Sequence, residues 1–372
     1  MKILFAAGGT GGHINPALAV AGVIRERYPD AEILFVGTKD RMEAKLVPAA
    51  GFDFTTIKIS GFMRSFAPKD ILRNLLTLWY LLTCNGKIKK ILKSFKPDVV
   101  IGFGGYVSGP VVRMAAKMGI PTAIHEQNAY PGITNKALAK LVDKVMLTAE
   151  EAEKHMSPKN PTILTGLPVR GEMLRADRDM SRAELGVKDN QKLILSMGGS
   201  LGATTINNAM LDIIADNCNN EELYFLHATG QYGLWFADEL KKKGVDHEKY
   251  SNIEIREYIN DMHRCMAAAD VVISRSGASS LSEIQAMGKA SILIPSPNVA
   301  ENHQYHNAMA LVNKNAALLI EEKDFSKEKM QELFDKLTKN DEARKEIEAC
   351  AKAMSTLDAK EKIADELVAL IK

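Results

Sequence analysis

The chain has 372 residues, 46% of them apolar and 25% charged, with a formal net charge of +2. That balance fits a soluble globular protein of two ordinary-sized domains and excludes a disordered or fibrous chain. No apolar run approaches the roughly 20 residues of a membrane span, the N-terminal run is shorter than a secretory h-region, and the scattered Cys84, Cys218, Cys265 and Cys350 argue against a disulfide framework or zinc site and fit a reducing compartment. The positive charge is concentrated in the first 168 residues and the remainder is net acidic, which hints that the first half meets something anionic.

In chain order, "KILFAA" is the first predicted strand. It runs into Gly8, Gly9, Gly11, Gly12 and His13, and then into "NPALAVAGVIRERY", whose apolar residues recur at helical spacing. "AEILFVG", "PDVVIGFGG", "PTAIHEQ" and "DKVMLTA" are the following strands. The turn-rich "TGLPVRGEMLRADRDMSRAELGV" marks a join. The same rhythm restarts with "KLILSMGGS", "LYFLHATG", "NIEIREYI", "DVVISRSG", "ASILIPS" and "AALLI", and the tail from Lys323 onward is charged and helical. Continuous apolar strands alternating with helices predict parallel sheets covered on both faces. The fold class is therefore α/β, with two doubly wound domains over 1–164 and 165–354. Ligands in such folds sit beyond the carboxyl ends of the strands, and the cleft between two domains is the default site.

Glycines after a strand let backbone N–H groups approach a ligand, and the helix that follows turns its positive end to the same spot, so an anion is favoured. The first loop is not a dinucleotide fingerprint. Read from Gly9, its third glycine position is Ile14, and the second strand ends in Gly37 and Thr38 rather than an acidic residue. The Walker pattern is absent as well. Further glycine loops follow strands at 102–110, 198–203 and 274–283; the last contains an S-x-x-E pattern at Ser280 and Glu283 that reads as a capping box. Such loops at strand ends of both halves predict two phosphorylated molecules.

Taken in order, "GGTGGH", "GFGGYVSGP", "HEQN", "GGSLGA", "RSGASSLSE" and "NHQYHNA" closely resemble the MurG family, the UDP-N-acetylglucosamine:N-acetylmuramyl-(pentapeptide) pyrophosphoryl-undecaprenol N-acetylglucosamine transferases of glycosyltransferase family 28. The resemblance runs from Lys2 to the C-terminal region. It implies a GT-B fold, two Rossmann-like domains facing a cleft, with a C-terminal helix at about 355–372 packing back on the first domain. It also implies an inverting transfer of GlcNAc from UDP-GlcNAc to the C4 hydroxyl of MurNAc in lipid I, giving lipid II for peptidoglycan, without a cofactor. The second domain would hold the donor. Ser200 would contact the UDP phosphates, Ile259 would meet the uracil through its backbone, and Ala278, Ser279, Ser280, Leu281, Ser282 and Glu283 would line the nucleotide. Glu283 would accept the ribose hydroxyls, a task suited to a carboxylate. Gln304 would read the sugar, Thr10, Gly11, Gly12 and Asn128 would also reach the donor, and Arg170 would approach the phosphates. The chain departs from many relatives at Leu167, where they carry Asn, and at Leu201, where they carry Gln.

Inversion in one displacement needs a base for the acceptor proton and stabilisation of the leaving group. His13, at the end of the first loop, is the candidate base, with His125 and Glu126 as rivals. Helix dipoles and backbone amides, with no metal, would meet the leaving-group charge. The D-x-D at Asp177–Asp179 lies in the join beside Arg175 and Arg178 and reads as solvated loop. Residues 64–96 combine "ILRNLLTLWYLL" with Arg64, Lys69, Arg73, Lys87, Lys89, Lys90, Lys93 and Lys96. An apolar run ringed by cations suits an anionic membrane surface, which places the protein peripherally on the cytoplasmic side of the cell membrane. Other cell-wall synthesis proteins are candidate partners. Nucleic acid is not, since no aromatic stripe interleaves the basic half. The alternative readings are a lipid glycosyltransferase with a diacylglycerol acceptor and a UDP-GlcNAc epimerase.

Overall fold

The computed structural model describes residues 1–61 and 83–371. They divide into two compact units, Met1–Pro168 with Asp358–Lys372, and Val169–Leu357.

Unit 1 is built on β1 (Lys2–Ala6), β2 (Glu32–Gly37), β3 (Asp53–Thr56), β4 (Val99–Gly102), β5 (Thr122–Glu126), β6 (Lys144–Leu147) and β7 (Ile163–Leu164). They form a seven-stranded sheet in the order β3-β2-β1-β4-β5-β6-β7, and every pairing is parallel. The apolar runs are continuous because both faces are covered. Ile3 and Phe5 of β1 enter one core cluster, and Leu4 and Ala6 enter the other. Truncating fully buried Phe5 to Ala would cost about 3–5 kcal/mol. The helices are α1 (Gly11–Arg27), α2 (Glu43–Ala49), α3 (83–95 of the described residues), α4 (Gly105–Lys117) and α5 (Ile133–Ala139).

Strand order reverses at β1, which pairs with β2 on one side and β4 on the other. This is the switch point at which α/β sheets bind ligands. The loops after β1 and β4 meet there backbone to backbone. Gly105 has φ +75°, and a Cβ on it would lie 2.2 Å from Gly8 O, so only glycine allows the approach.

Unit 2 repeats the plan. Its strands are β8 (Lys192–Met197), β9 (Leu223–Ala228), β10 (Ile253–Arg256), β11 (Val271–Ser274), β12 (Ala290–Leu293) and β13 (Leu318–Leu319), in the order β10-β9-β8-β11-β12-β13. Around them lie α6 (Gly171–Arg175), α7 (Arg178–Glu184), α8 (Thr204–Asn217), α9 (Phe236–Lys242), α10 (Met262–Ala268), α11 (Ala278–Met287), α12 (His303–Val312), α13 (Lys327–Thr338) and α14 (Asp341–Ala353). Its switch point lies at β8, between β9 and β11. The loops after β8 and β9 also interlock: a Cβ on Gly202, at φ +86°, would lie 2.2 Å from Thr229 O. At the opposite ends of the inner strands, buried Asp270 accepts from Leu193 N, Arg178 and Arg182, and buried Lys289 donates to Ala267 O and Ala269 O at 2.7 and 2.8 Å.

The chain then returns to unit 1 as α15 (Ala359–Ile371). Ile363 and Leu367 join the cluster of Ile3, Phe5 and Ile14. Lys144 pairs with Glu366, and Arg27 with Asp365 at 2.7 Å.

Several elements differ from the sequence reading. α1 begins at Gly11, not Asn15, so Gly11 and Gly12 form its first turn. Edge strands β3 and β7 are additional. The join contains α6 and α7, and Asp177 caps α7 by accepting from Met180 N at 2.9 Å. The S-x-x-E pattern is not a capping box: α11 starts at Ala278 after Gly277, with no side-chain cap, and the Glu283 carboxylate is drawn to Arg170.

Candidate active site

In unit 1 the candidates gather at the tips of β1 and β5, with β4 between them. Thr10 precedes α1 in extended conformation and its carbonyl accepts from His13 N and Ile14 N. Gly11 and Gly12 therefore stand where a helix presents its unpaired amides. His13 Nδ1 lies 3.2 Å from both Gly8 O and Thr10 Oγ1. A carbonyl only accepts, so the bond to Gly8 O puts the ring proton on Nδ1 and the lone pair on Nε2. The Nε2 edge of the ring lies against Gly104, where a Cβ would stand 2.9 Å from Cδ2 and 3.1 Å from Nε2.

His125 and Glu126 are placed differently. His125 is fully buried, its Nε2 is 2.9 Å from Gly166 O, and its Nδ1 is 3.2 Å from Gln127 Nε2. Burial lowers its pKa from 6.5 to about 4, against the opposing pull of the Gly166 bond. Glu126 is buried too, and its carboxylate accepts from Asn128 N, Asn128 Nδ2, Gly132 N and Asn135 Nδ2, the last at 2.8 Å. Desolvation raises its pKa, and those four donors work in the other direction. The pair fixes the loop that carries Asn128. Gln127, which sequence reasoning passed over, ties this loop to the next by donating to Phe103 O at 2.9 Å.

In unit 2 the candidates lie on the segments that follow β8, β10, β11 and β12, with Arg170 just before α6. Ser200 is exposed, and its carbonyl accepts from Gln231 N. On α11, Ser279 is exposed while Leu281 and Ser282 turn inward, and Leu281 N already donates to Gly277 O. Ile259, beyond β10, is also buried and belongs to the core. Arg170 Nε donates to Glu283 Oε1 at 2.8 Å. Burial raises the Glu283 pKa, and the Arg170 guanidinium holds it back. Gln304 Oε1 accepts from Ser296 N at 2.9 Å, and Ser276 Oγ donates to Gln304 O at 2.8 Å, which joins the β11, β12 and α12 loops. Arg275 was also missed. It donates to Ile294 O and Pro295 O and pairs with Glu322. It sits inside the quoted "RSGASSLSE" motif, which was the available signal.

The predicted membrane segment is only partly described: 62–82 lie outside the described residues. Lys87, Lys89, Lys90, Lys93 and Lys96 are exposed. Nearby in unit 1, a cavity of about 700 Å³ is lined by Ile59, Tyr106, Arg113, Lys117, Ile133 and Leu141, among others. Ile133 and Leu141 are exposed large apolar residues. Among the described residues, no helix is long and apolar enough to cross a membrane.

Residues 3–147 match the glycosyltransferase family 28 N-terminal domain, and 193–365 match the family 28 C-terminal domain. The chain belongs to glycosyltransferase family 28. The N-terminal match ends with β6, and the C-terminal match runs from β8 into α15. Its relatives align over nearly all of the chain. A protein of Desulforamulus reducens is 44% identical over 98% of this chain and 96% of its own length, and one of Acetivibrio thermocellus is 42% identical over 98% and 96%. Both are named UDP-N-acetylglucosamine--N-acetylmuramyl-(pentapeptide) pyrophosphoryl-undecaprenol N-acetylglucosamine transferase. The crystal structure of Acinetobacter baumannii MurG superposes with TM-score 0.80 at 27% identity, covering 99% of each chain. The UDP-GlcNAc 2-epimerase of Neisseria meningitidis superposes with TM-score 0.67 at 14% identity, over 99% of this chain and 100% of its own, a likeness of fold alone.

Proposed function

We propose that this chain transfers N-acetylglucosamine from UDP-N-acetylglucosamine to N-acetylmuramyl-(pentapeptide) pyrophosphoryl-undecaprenol, lipid I, in peptidoglycan synthesis. The observation that carries the reading is end-to-end identity of about two residues in five with transferases so named. Likeness to the epimerase goes no further than fold.

On this reading unit 2 holds the donor. Glu283, with one oxygen already committed to Arg170, accepts the ribose hydroxyls. Ser200 and the α8 N-terminus meet the diphosphate, and the backbone of Ile259 meets the uracil. Gln304, whose Oε1 is taken by Ser296 N, offers its NH₂ group to the sugar. Unit 1 holds the acceptor, and the amides of Gly11 and Gly12, which the family resemblance points toward the donor, suit the acceptor's diphosphate on this reading. His13 takes the C4 hydroxyl proton on Nε2, since Nδ1 is committed to Gly8 O. His125, with both ring nitrogens engaged and its pKa depressed, serves as a positioning residue, as does Glu126. Backbone amides at the helix N-termini stabilise the UDP that leaves. The lysines of α3 and the exposed Ile133 and Leu141 suit the anionic, apolar boundary of a bilayer, where a polyprenyl acceptor resides. On this reading the protein sits peripherally on the cytoplasmic face.

The test is transfer of labelled GlcNAc from UDP-GlcNAc to a lipid I analogue, run beside a diacylglycerol acceptor and an acceptor-free control. Label in the lipid I product alone is expected. Conversion of UDP-GlcNAc without acceptor would overturn the reading in favour of epimerisation.

A further inference from the structure

Glu43, at the start of α2, is completely buried. Its Oε1 accepts from Thr38 N at 3.0 Å and Thr38 Oγ1 at 2.7 Å, and its Oε2 accepts from Gly9 N at 3.2 Å. The carboxylate thus bridges the tip of β2 to the first glycine loop. The surrounding chain makes room for it. A Cβ on Gly8 would lie 2.8 Å from Glu43 Oε1, and one on Gly37 would lie 2.5 Å from Glu43 Cγ. Gly8 and Gly37 thus leave room for this side chain, and Gly37 leaves room for the Phe54 ring as well.

In dinucleotide-binding sheets, the acid at the tip of the second strand accepts the ribose hydroxyls of a nucleotide. Here that strand ends in Gly37 and Thr38, and an acid reaches the same tip from the following helix. It is shut away from solvent and occupied by donors of the chain itself. A nucleotide sugar seeking a ribose acceptor in unit 1 would find this carboxylate engaged.

We propose that Glu43 is a positioning residue: by fixing the Gly9 amide it sets the direction in which the Gly11 and Gly12 amides and the His13 ring face a diphosphate-linked acceptor. The inference rests on the reading of unit 1 as the acceptor side. Glu43 touches no substrate. It acts through one partly buried backbone amide, and leaving that donor without its acceptor costs enough to make the loop shift.

Glu43→Gln keeps the shape but sets an NH₂ group against either the Gly9 or the Thr38 donors. The comparison is Val47→Ala, a core truncation on the same helix that loses stability without touching the loop. Steady-state kinetics should show Glu43→Gln raising acceptor KM about tenfold with donor KM within twofold, and Val47→Ala changing neither. Hydrogen exchange over residues 7–14 should accelerate at least tenfold in Glu43→Gln and stay unchanged in Val47→Ala. If Glu43→Gln fails to fold, wild-type exchange still decides: the Gly9 amide should exchange more slowly than those of Gly11 and Gly12. Equal exchange at the three glycines, or a Glu43→Gln variant that behaves like wild type or like Val47→Ala in both measurements, overturns the proposal. A wild type without transferase activity would sink the functional reading instead, and the exchange results would still judge Glu43.

Discussion

Arg170 Nε donates to Glu283 Oε1 across 2.8 Å, which joins the segment before α6 to the first turns of α11. Glu283 is largely buried while Arg170 is half exposed, so the guanidinium opposes the upward pull of burial on the carboxyl pKa. Charged hydrogen bonds contribute roughly 1.5–3 kcal/mol. Glu283→Gln should therefore raise donor KM about 10- to 100-fold and leave acceptor KM unchanged, as measured by steady-state kinetics with each substrate varied.

The same pair sets a pH dependence. The folded-state pKa of Glu283 lies above its ordinary 4.5, and protonation removes a ribose acceptor. Donor KM should rise as pH falls through that raised value. Arg170→Ala removes the group that opposes the rise, so the acid limb of log(kcat/KM) for donor should move to higher pH. An unmoved limb would detach Glu283 from the donor.

His13→Ala should lower kcat by about 10²–10⁴, the usual worth of a general base, with donor KM little changed. Gly104→Ala should reproduce part of the defect, because its Cβ would press on the His13 ring at 2.9 Å. Single-turnover rates on the two variants check this.

His125 should remain neutral well into the acid range. Its folded pKa is lowered to about 4, so the unfolded chain binds the proton first. The stability it contributes is fully present above 6.5 and is lost as pH falls from there through about 4. Titrating the His125 ring carbons by NMR tests it; a midpoint near 6.5 would contradict it.

Lys289 has the same sign at a higher pH. Burial, with Arg178 next in effect, lowers its pKa from 10.5 to about 7. Between those values the unfolded chain carries the extra proton, so this residue makes stability increase with pH over that window. Lys289→Met should flatten the dependence of Tm on pH between 7 and 10, as read by thermal melts across that range.

Both parallel sheets were legible in the sequence because their strands are buried on two faces and so are apolar throughout. β3 reads "DFTT" and β7 has two residues; both lie at sheet edges, where no second apolar face is needed and the pattern vanishes. The start of α1 was obscured because glycine is a poor helix former, yet here Gly11 and Gly12 are its first turn. Ser280 and Glu283 show the limit of a local motif: the spacing of a cap was present, but the carboxylate found its partner more than a hundred residues away. Glu43 was illegible for a related reason. It acts on Gly9 from another element, and no spacing along the chain connects the two. The quoted motifs pointed to the segments around the strand tips, but the division of labour within "HEQN" depends on burial and bonding that only three dimensions supply.

The return of α15 to unit 1 has a consequence for how the molecule is made. Translation proceeds from the N-terminus, and domains fold as their sequence emerges. Val169–Leu357 is complete before α15 has been synthesised, so the segment that comes off the ribosome second can fold first. The flank of α1 and β4 against which α15 packs stays uncovered throughout, a newborn chain with an open apolar side, until those thirteen residues arrive to close it.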